Sequence, residues 1–306
     1  MSQLNVNVIA PLGYTGPDLP GDNNFVQIVD NAGDTVLKIP NGNNIAIGKD
    51  ALNTITTGLV NTAVGDGSMG LVTTGNANSA FGAGALGGLT TGTWNIGIGP
   101  QSGQTLDSGS ENVFVGYQAG YGDFANPPGN QNTCIGTMAG FNMSGSQYNT
   151  YIGWNAGFNT TTGNNNVCLG NYSDAATATS SNSITLGNSL NTILRCAVTS
   201  ITSLSDARDK KDVKELGAGL DFVKGLKPVE FVWDDRDEKG RHDVKDFGFI
   251  AQDLKKSQED AGLAETLKLV YEENPEKLEA SYGKLVPILV KAIQDLSKEI
   301  EILKSK

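Results

Sequence analysis

The sequence predicts a mostly β repeat region followed by an α+β domain that ends in a coiled-coil helix. Three observations predict it: charge is distributed unevenly, a short motif recurs at a fixed period, and the last helical stretch spaces its apolar residues by threes and fours. Of the 306 residues, positions 1–204 hold three basic residues (Lys38, Lys49, Arg195) and ten acidic ones, a net charge of −7. Positions 205–306 hold the other 19 basic and 23 acidic residues, a net charge of −4, completing the −11 of the whole chain. The front is rich in Gly, Asn, Thr and Ser. The back has the composition of an ordinary charged, helix-rich domain.

Residues 1–43 precede the repeats. Phe25–Asp30 and Thr35–Ile39 read as two strands around Asn31-Ala32-Gly33-Asp34, a hairpin signal. We expect a small β cap there, through which the rest of the chain attaches to a larger particle.

From residue 44 to 187 the pattern Asn-x-x-apolar-Gly recurs. It begins at Asn44, Asn61, Asn78, Asn95, Asn112, Asn132, Asn149 and Asn166, with a ninth copy at Ser183. The step is 17 residues except between Asn112 and Asn132, where Ala125-Asn126-Pro127-Pro128-Gly129 carries a three-residue insertion. A fixed short period means one structural unit stacked many times. The fourth position is apolar in every copy (Ile47, Val64, Phe81, Ile98, Val115, Ile135, Ile152, Leu169, Leu186). That column is expected to be the buried face of a strand. The third position is often small (Ala46, Ala63, Ala80, Gly97, Cys134, Cys168), which suggests close packing on the opposite face. The closing Gly suits a turn with positive φ, where a Cβ clashes. Nine strands stacked at about 4.8 Å give a rod roughly 40 Å long. So slender a β-roll or β-helix has little core of its own, and a homotrimer is the expected solution.

Composition removes several function classes. A net charge of −11 lacks the basic patch that nucleic acid needs. No run of about 18 apolar residues predicts a membrane span. Met1–Pro11 has no signal-peptide pattern. Cys134, Cys168 and Cys196 are too few and too dispersed for a disulfide framework or a zinc site, and no cofactor or metal is expected. Cys134 and Cys168 occupy the same repeat position, which suits small buried side chains. His242 is the only histidine, so the first 204 residues hold no histidine-based triad. Exposed aromatics are expected between the turns (Trp94, Tyr117, Tyr121, Phe124, Phe141, Tyr148, Trp154, Phe158). They suit either a sugar platform or packing within a trimer. Carboxylates for glycoside hydrolysis are scarce, with only Asp66, Asp107, Glu111, Asp123 and Asp174 between residues 51 and 182.

The signature Asn44-Ile45-Ala46-Ile47-Gly48 resembles the left-handed β-roll heads of trimeric autotransporter adhesins and the shaft repeats of phage tail fibres. With neither a signal peptide nor a terminal membrane barrel read from the sequence, and with a 17-residue period, the viral resemblance is the better one.

After a connector at 188–204 comes Ser205-Asp206-Ala207-Arg208-Asp209-Lys210. This string is similar to the opening of the endosialidase-type intramolecular chaperone domain of phage tailspikes and tail fibres, Ser-Asp-x-Arg-x-Lys. The similarity continues through Gly219–Val223, Leu226–Val229, Phe231–Trp233, Phe247–Gln252 and Tyr282–Leu285. It implies a domain at 205–306 that trimerises, helps the preceding fibre fold, and frees itself by self-cleavage at Leu204–Ser205. Ser205 is then the nucleophile and Lys210 the general base, with Asp206 and Arg208 as supporting motif residues and Lys211 as an alternative base. A Ser hydroxyl needs a base. A Lys serves only if burial or a neighbouring cation such as Arg208 lowers its pKa from about 10.4. Alternatively, Ser205-Asp206 simply caps a helix.

The closing helix, Tyr282 to Leu303, places Leu285, Leu289, Ala292, Leu296, Ile300 and Leu303 at coiled-coil spacing. Pro287 falls near its first turn, where it is tolerated. The function expected from the resemblance is a phage tail fibre or spike component, made in the host cytoplasm and carried on the virion. Its expected partners are two further copies, other tail proteins, and a host glycan or protein receptor, with no nucleic acid and no membrane insertion. A trimeric cell-surface adhesin and a capsule-degrading tailspike are the alternatives.

Overall fold

The computed structural model describes residues 26–29, 35–39, 42–191, 193–195, 204–236 and 241–306. The chain divides into two compact units, 1–188 and 189–306. The turn expected at Asn31–Asp34, residue Cys196 and most of the 188–204 connector lie outside the described residues.

In the first unit, β1 (Val26–Val29) pairs antiparallel with β2 (Thr35–Ile39), and β2 pairs antiparallel with the first repeat strand. Nine three-residue strands follow: β3 (Ile45–Ile47), β4 (Thr62–Val64), β5 (Ser79–Phe81), β6 (Ile96–Ile98), β7 (Val113–Val115), β8 (Thr133–Ile135), β9 (Thr150–Ile152), β10 (Val167–Leu169) and β11 (Ile184–Leu186). Each lies parallel and in register with the next, so Ala46 faces Ala63 and Cys134 faces Tyr151. The result is a parallel β-solenoid of about eight turns.

The close packing expected at the third position is present, but the fourth position, expected to be the buried face, points outward. Ile47, Phe81, Ile98, Ile135, Ile152 and Leu169, at the fourth position, are exposed, whereas Ala46, Ala63, Ala80, Phe114, Cys134, Tyr151 and Cys168, at the third, are buried. The physical reason is the first position. With a period of two along the strand, a motif residue that points inward takes the third position with it. Asn44, Asn61, Asn78, Asn95, Asn112, Asn132, Asn149 and Asn166 are all fully buried. They form a ladder in which each amide completes its neighbours' bonding. Asn44 Oδ1 accepts from the Asn61 backbone N–H (2.8 Å) and from Asn61 Nδ2 (3.1 Å), while Asn44 Nδ2 donates to the Gly58 carbonyl (2.8 Å). The same triplet recurs at Asn61, Asn78, Asn95 and Asn132. A buried amide so satisfied escapes the desolvation penalty that normally keeps Asn outside.

The third position varies in size because the ninth position varies against it. Where the third is Ala46, Ala63 or Ala80, the ninth is Leu52, Met69 or Leu86, each buried, and Leu86 also covers Gly97 of the next coil, where an added Cβ would lie 2.7 Å from its Cγ. Where the third is Phe114 or Tyr151, the flanking ninth positions are Gly103 and Gly120, and Gly140 and Gly157. A Cβ on Gly120 would sit 2.3 Å from the Phe114 ring, and one on Gly157 2.5 Å from the Tyr151 ring. Total volume is thus held while its source moves, as close packing demands. The Gly that closes each motif has φ between +117° and +137° from Gly48 to Gly170. At Gly65 an added Cβ would lie 2.5 Å from the next coil's Gly82 carbonyl, so both conformation and stacking require glycine.

Three of the aromatics expected at the surface are half-buried instead. Tyr121, Phe141 and Phe158 stack in a column, with ring centroids 5.1 and 5.4 Å apart. Trp94, Tyr117, Phe124, Tyr148 and Trp154 are exposed. Cys134 and Cys168 are free and buried in the solenoid core.

The second unit is α+β. It contains α1 (Leu220–Lys224), a hairpin of β12 (Val229–Asp234) and β13 (His242–Gly248), α2 (Ala251–Asp260), α3 (Ala264–Leu267), the short pair β14 (Val270–Tyr271) and β15 (Glu279–Ala280), and α4 (Leu285–Lys304). Its core gathers Ala218, Phe222, Leu267, Leu269, Leu285 and Ile288. Asp295 ties α1 to α4, accepting from the Leu220 N–H (3.3 Å) and from Lys291 Nζ (2.5 Å). The apolar stripe expected on α4 divides into two faces. Leu285, Ile288 and Ala292 pack inward, whereas Val286, Leu289, Ile293, Leu296, Ile300 and Leu303 are exposed, again in steps of three and four. The seam therefore starts at Val286 rather than Leu285, because the first turns of the helix must also cover α1.

Candidate processing site

The candidate site is a short segment, residues 204–210, that precedes α1, the first α-helix of the second unit. Asp206 begins a 3₁₀ turn, Ala207–Asp209, and its carboxylate accepts from the Arg208 backbone N–H at 2.9 Å. Lys210 leaves the turn in an extended conformation, with its N–H bonded to the Ala207 carbonyl. This turn folds a five-residue separation back on itself. Lys210 Nζ donates to Ser205 Oγ at 2.5 Å and to the Ser205 carbonyl at 3.1 Å. Ser205 and Lys210 are therefore brought together, and Lys210 rather than Lys211 makes this contact. The helix-cap alternative is met in part: a cap exists, but Asp206 supplies it and Ser205 is left for the lysine.

Arg208 does not serve as a lone cation beside Lys210. Its Nε and Nη2 donate to Asp206 at 3.0 and 2.6 Å, a two-point pair that suits a planar guanidinium. Hydrogen bonds from Arg208 hold the Asp206 carboxyl below its ordinary value, and Asp206 raises Arg208 in turn. Both groups stand in solvent, so the pair organises the turn and adds little to stability. Leu204 and residues 205–215 are exposed in the single chain. His242 pairs across the hairpin, its Nδ1 lying 3.0 Å from Asp234 Oδ1, which gives the only histidine a structural place.

The motif spacing identifies Ser205 and Lys210. It does not show that Asp206, by capping and by pairing with Arg208, shapes the turn. An Asp followed two residues later by an Arg was the available signal.

A parallel β-solenoid is followed in the chain by an α+β unit that carries an exposed Ser–Lys pair near its start. Residues 205–263 match the family model described as chaperone of endosialidase. No curated protein and no solved structure matches the chain. The chaperone domain and the solenoid together fit a phage tail fibre or spike.

Proposed function

We propose that this chain is a tail fibre or spike component, used as a homotrimer for host attachment, whose C-terminal domain aids assembly and then cuts itself off at Leu204–Ser205. The observation that carries the cleavage step is the 2.5 Å contact of Lys210 Nζ with Ser205 Oγ. With the amine neutral, the contact runs the other way and the hydroxyl donates to Nζ. Oxygen then attacks the Leu204 carbonyl carbon through a five-membered ring, and Nζ takes the proton. The Leu204–Ser205 C–N bond breaks, the Ser205 nitrogen receives a proton, and an ester joins the Leu204 acyl group to Ser205 Oγ. Water opens the ester, leaving a Leu204 carboxylate and a new N-terminal Ser205. Proximity supplies much of the rate, since nucleophile and target are one bond frame apart.

The pair lies in solvent in the single chain, and a lysine acts as a base only without its proton. A neighbouring copy that covers residues 204–210 would desolvate the amine and favour the neutral form. Assembly would then precede cleavage. The exposed seam on α4 supports a multi-chain role, because six large apolar side chains at heptad spacing on a water-facing helix suit a partner helix. Losing the aid after assembly would make unfolding hard to reverse.

Denaturing electrophoresis with mass spectrometry of the expressed chain tests the cleavage. Fragments ending at Leu204 and beginning at Ser205 are expected. Ser205→Ala should abolish them, and Lys210→Ala should slow their appearance by about a hundredfold or more. A wild-type chain that stays intact in its assembled form would overturn the processing role.

A further inference from the structure

We propose, resting on the multi-chain reading above, that the outward face of the solenoid sheet is the contact along which copies of this chain pack lengthwise. The fourth position is apolar at all nine levels, yet Ile47, Phe81, Ile98, Ile135, Ile152 and Leu169 are each 36–43 % exposed. A face built for water would take the Thr that recurs at the fourteenth position of the same coils, as at Thr57, Thr74, Thr91, Thr162 and Thr179. The second position adds Ile45, Ile96 and Ile184 to the same side, all exposed. Nine such side chains, most of them near two-fifths exposed, offer on the order of 700 Å² of apolar surface, close to the ~800 Å² that each partner gives a standard interface. Monomeric proteins seldom leave so large a patch bare.

The chain itself points to the occupant. The column repeats at the strand spacing for nine levels, about 40 Å. Only a surface with the same rise over the same length meets every level, and another copy of the rod has it. The second and fourth positions hold no charged residue in any coil, so copies facing one another there bring no like charges together. The α4 seam in the second unit is a separate feature that also needs a partner.

The test uses the full chain in a Cys196→Ser background, so that the third native thiol takes no part. After mild oxidation and denaturation, Ile98→Cys should yield a covalent dimer on non-reducing electrophoresis. Thr91→Cys, exposed but outside the sheet, should yield only monomer. In parallel, Ile98→Lys combined with Ile152→Lys should lower the melting temperature of the rod by several degrees, with coil structure still present by circular dichroism, and Thr91→Lys should not. Sedimentation of the unmodified chain separates the two readings. An oligomer that gives no Ile98→Cys cross-link and no melting shift places the contact elsewhere, which overturns this inference and leaves the multi-chain role intact. A monomer overturns both.

Discussion

Removing one rung of the asparagine ladder measures what holds the coils together. Asn95→Ala, in the middle of the stack, deletes four bonds: Nδ2 to the Gly109 carbonyl (2.9 Å), Nδ2 to Asn78 Oδ1 (3.0 Å), and the acceptor of the Asn112 backbone N–H and of Asn112 Nδ2 (3.0 Å each). Asn112 Nδ2 keeps the Ser110 and Gly129 carbonyls, so it is not stranded. The Gly109 carbonyl and the Asn112 N–H lose these partners in a dry interior. Each buried unpaired group costs about 1–3 kcal/mol, giving about 2–6 kcal/mol for the variant. Asn76→Ala is the control. It removes the bond from the Leu59 N–H (2.8 Å) and that to the Thr74 carbonyl (3.0 Å), both open to water, for about 1 kcal/mol or less. Chemical denaturation followed by the fluorescence of the tryptophans, Trp94 and Trp154 among them, reads the difference. Hydrogen exchange of peptides spanning residues 95–116 reads it locally, since a solenoid opens coil by coil. Equal stability and equal exchange for the two variants would refute the ladder as the source of cohesion.

Two further outcomes follow from the core. Gly120→Ala puts a Cβ against the Phe114 ring at a residue with φ +59°, so overpacking of about 1–3 kcal/mol is expected. Phe114→Leu should recover part of it, and a double-mutant cycle by denaturation with no coupling would count against the size exchange between third and ninth positions. Burial pushes the Cys168 thiol up to about 12, and burial also raises Cys134. Above pH 9 the unfolded chain loses thiol protons that the folded chain keeps, so stability falls as pH rises through the ordinary thiol value. Mass-mapped alkylation at pH 8 should leave both residues unmodified in the folded rod and modify both in denaturant.

The period, the strand positions and the glycine turns were legible because each is a one-residue requirement repeated nine times. The sidedness was not. A rule that sends Asn outward and Ile inward fails where amides satisfy one another in a stack, and where the apolar column is left open on a single chain. The third position was read as often small, and the large Phe114 and Tyr151 fit it only in the sum with the ninth. Reading Gly103, Gly120 and Gly157 against Phe114 and Tyr151 would have found the core. In the second unit the Ser205–Lys210 spacing was legible. The division of α4 into two faces was not, because Leu285 and Leu289 both fit a stripe until α1 takes one of them.

The ladder also bears on how such a rod changes over generations. Each coil shows the coil above the same acceptors and donors that it receives from the coil below. Where the third and ninth positions of the new neighbours still fit one another, a block of seventeen codons can be duplicated or lost between rungs, and the new junction bonds as the old one did. Length becomes a heritable quantity that moves in whole steps, with the segments before residue 44 and after residue 187 unaffected. The three extra residues near Pro127 and Pro128 mark the other freedom: a loop can swell sideways while Asn112 and Asn132 still meet at 2.9 Å.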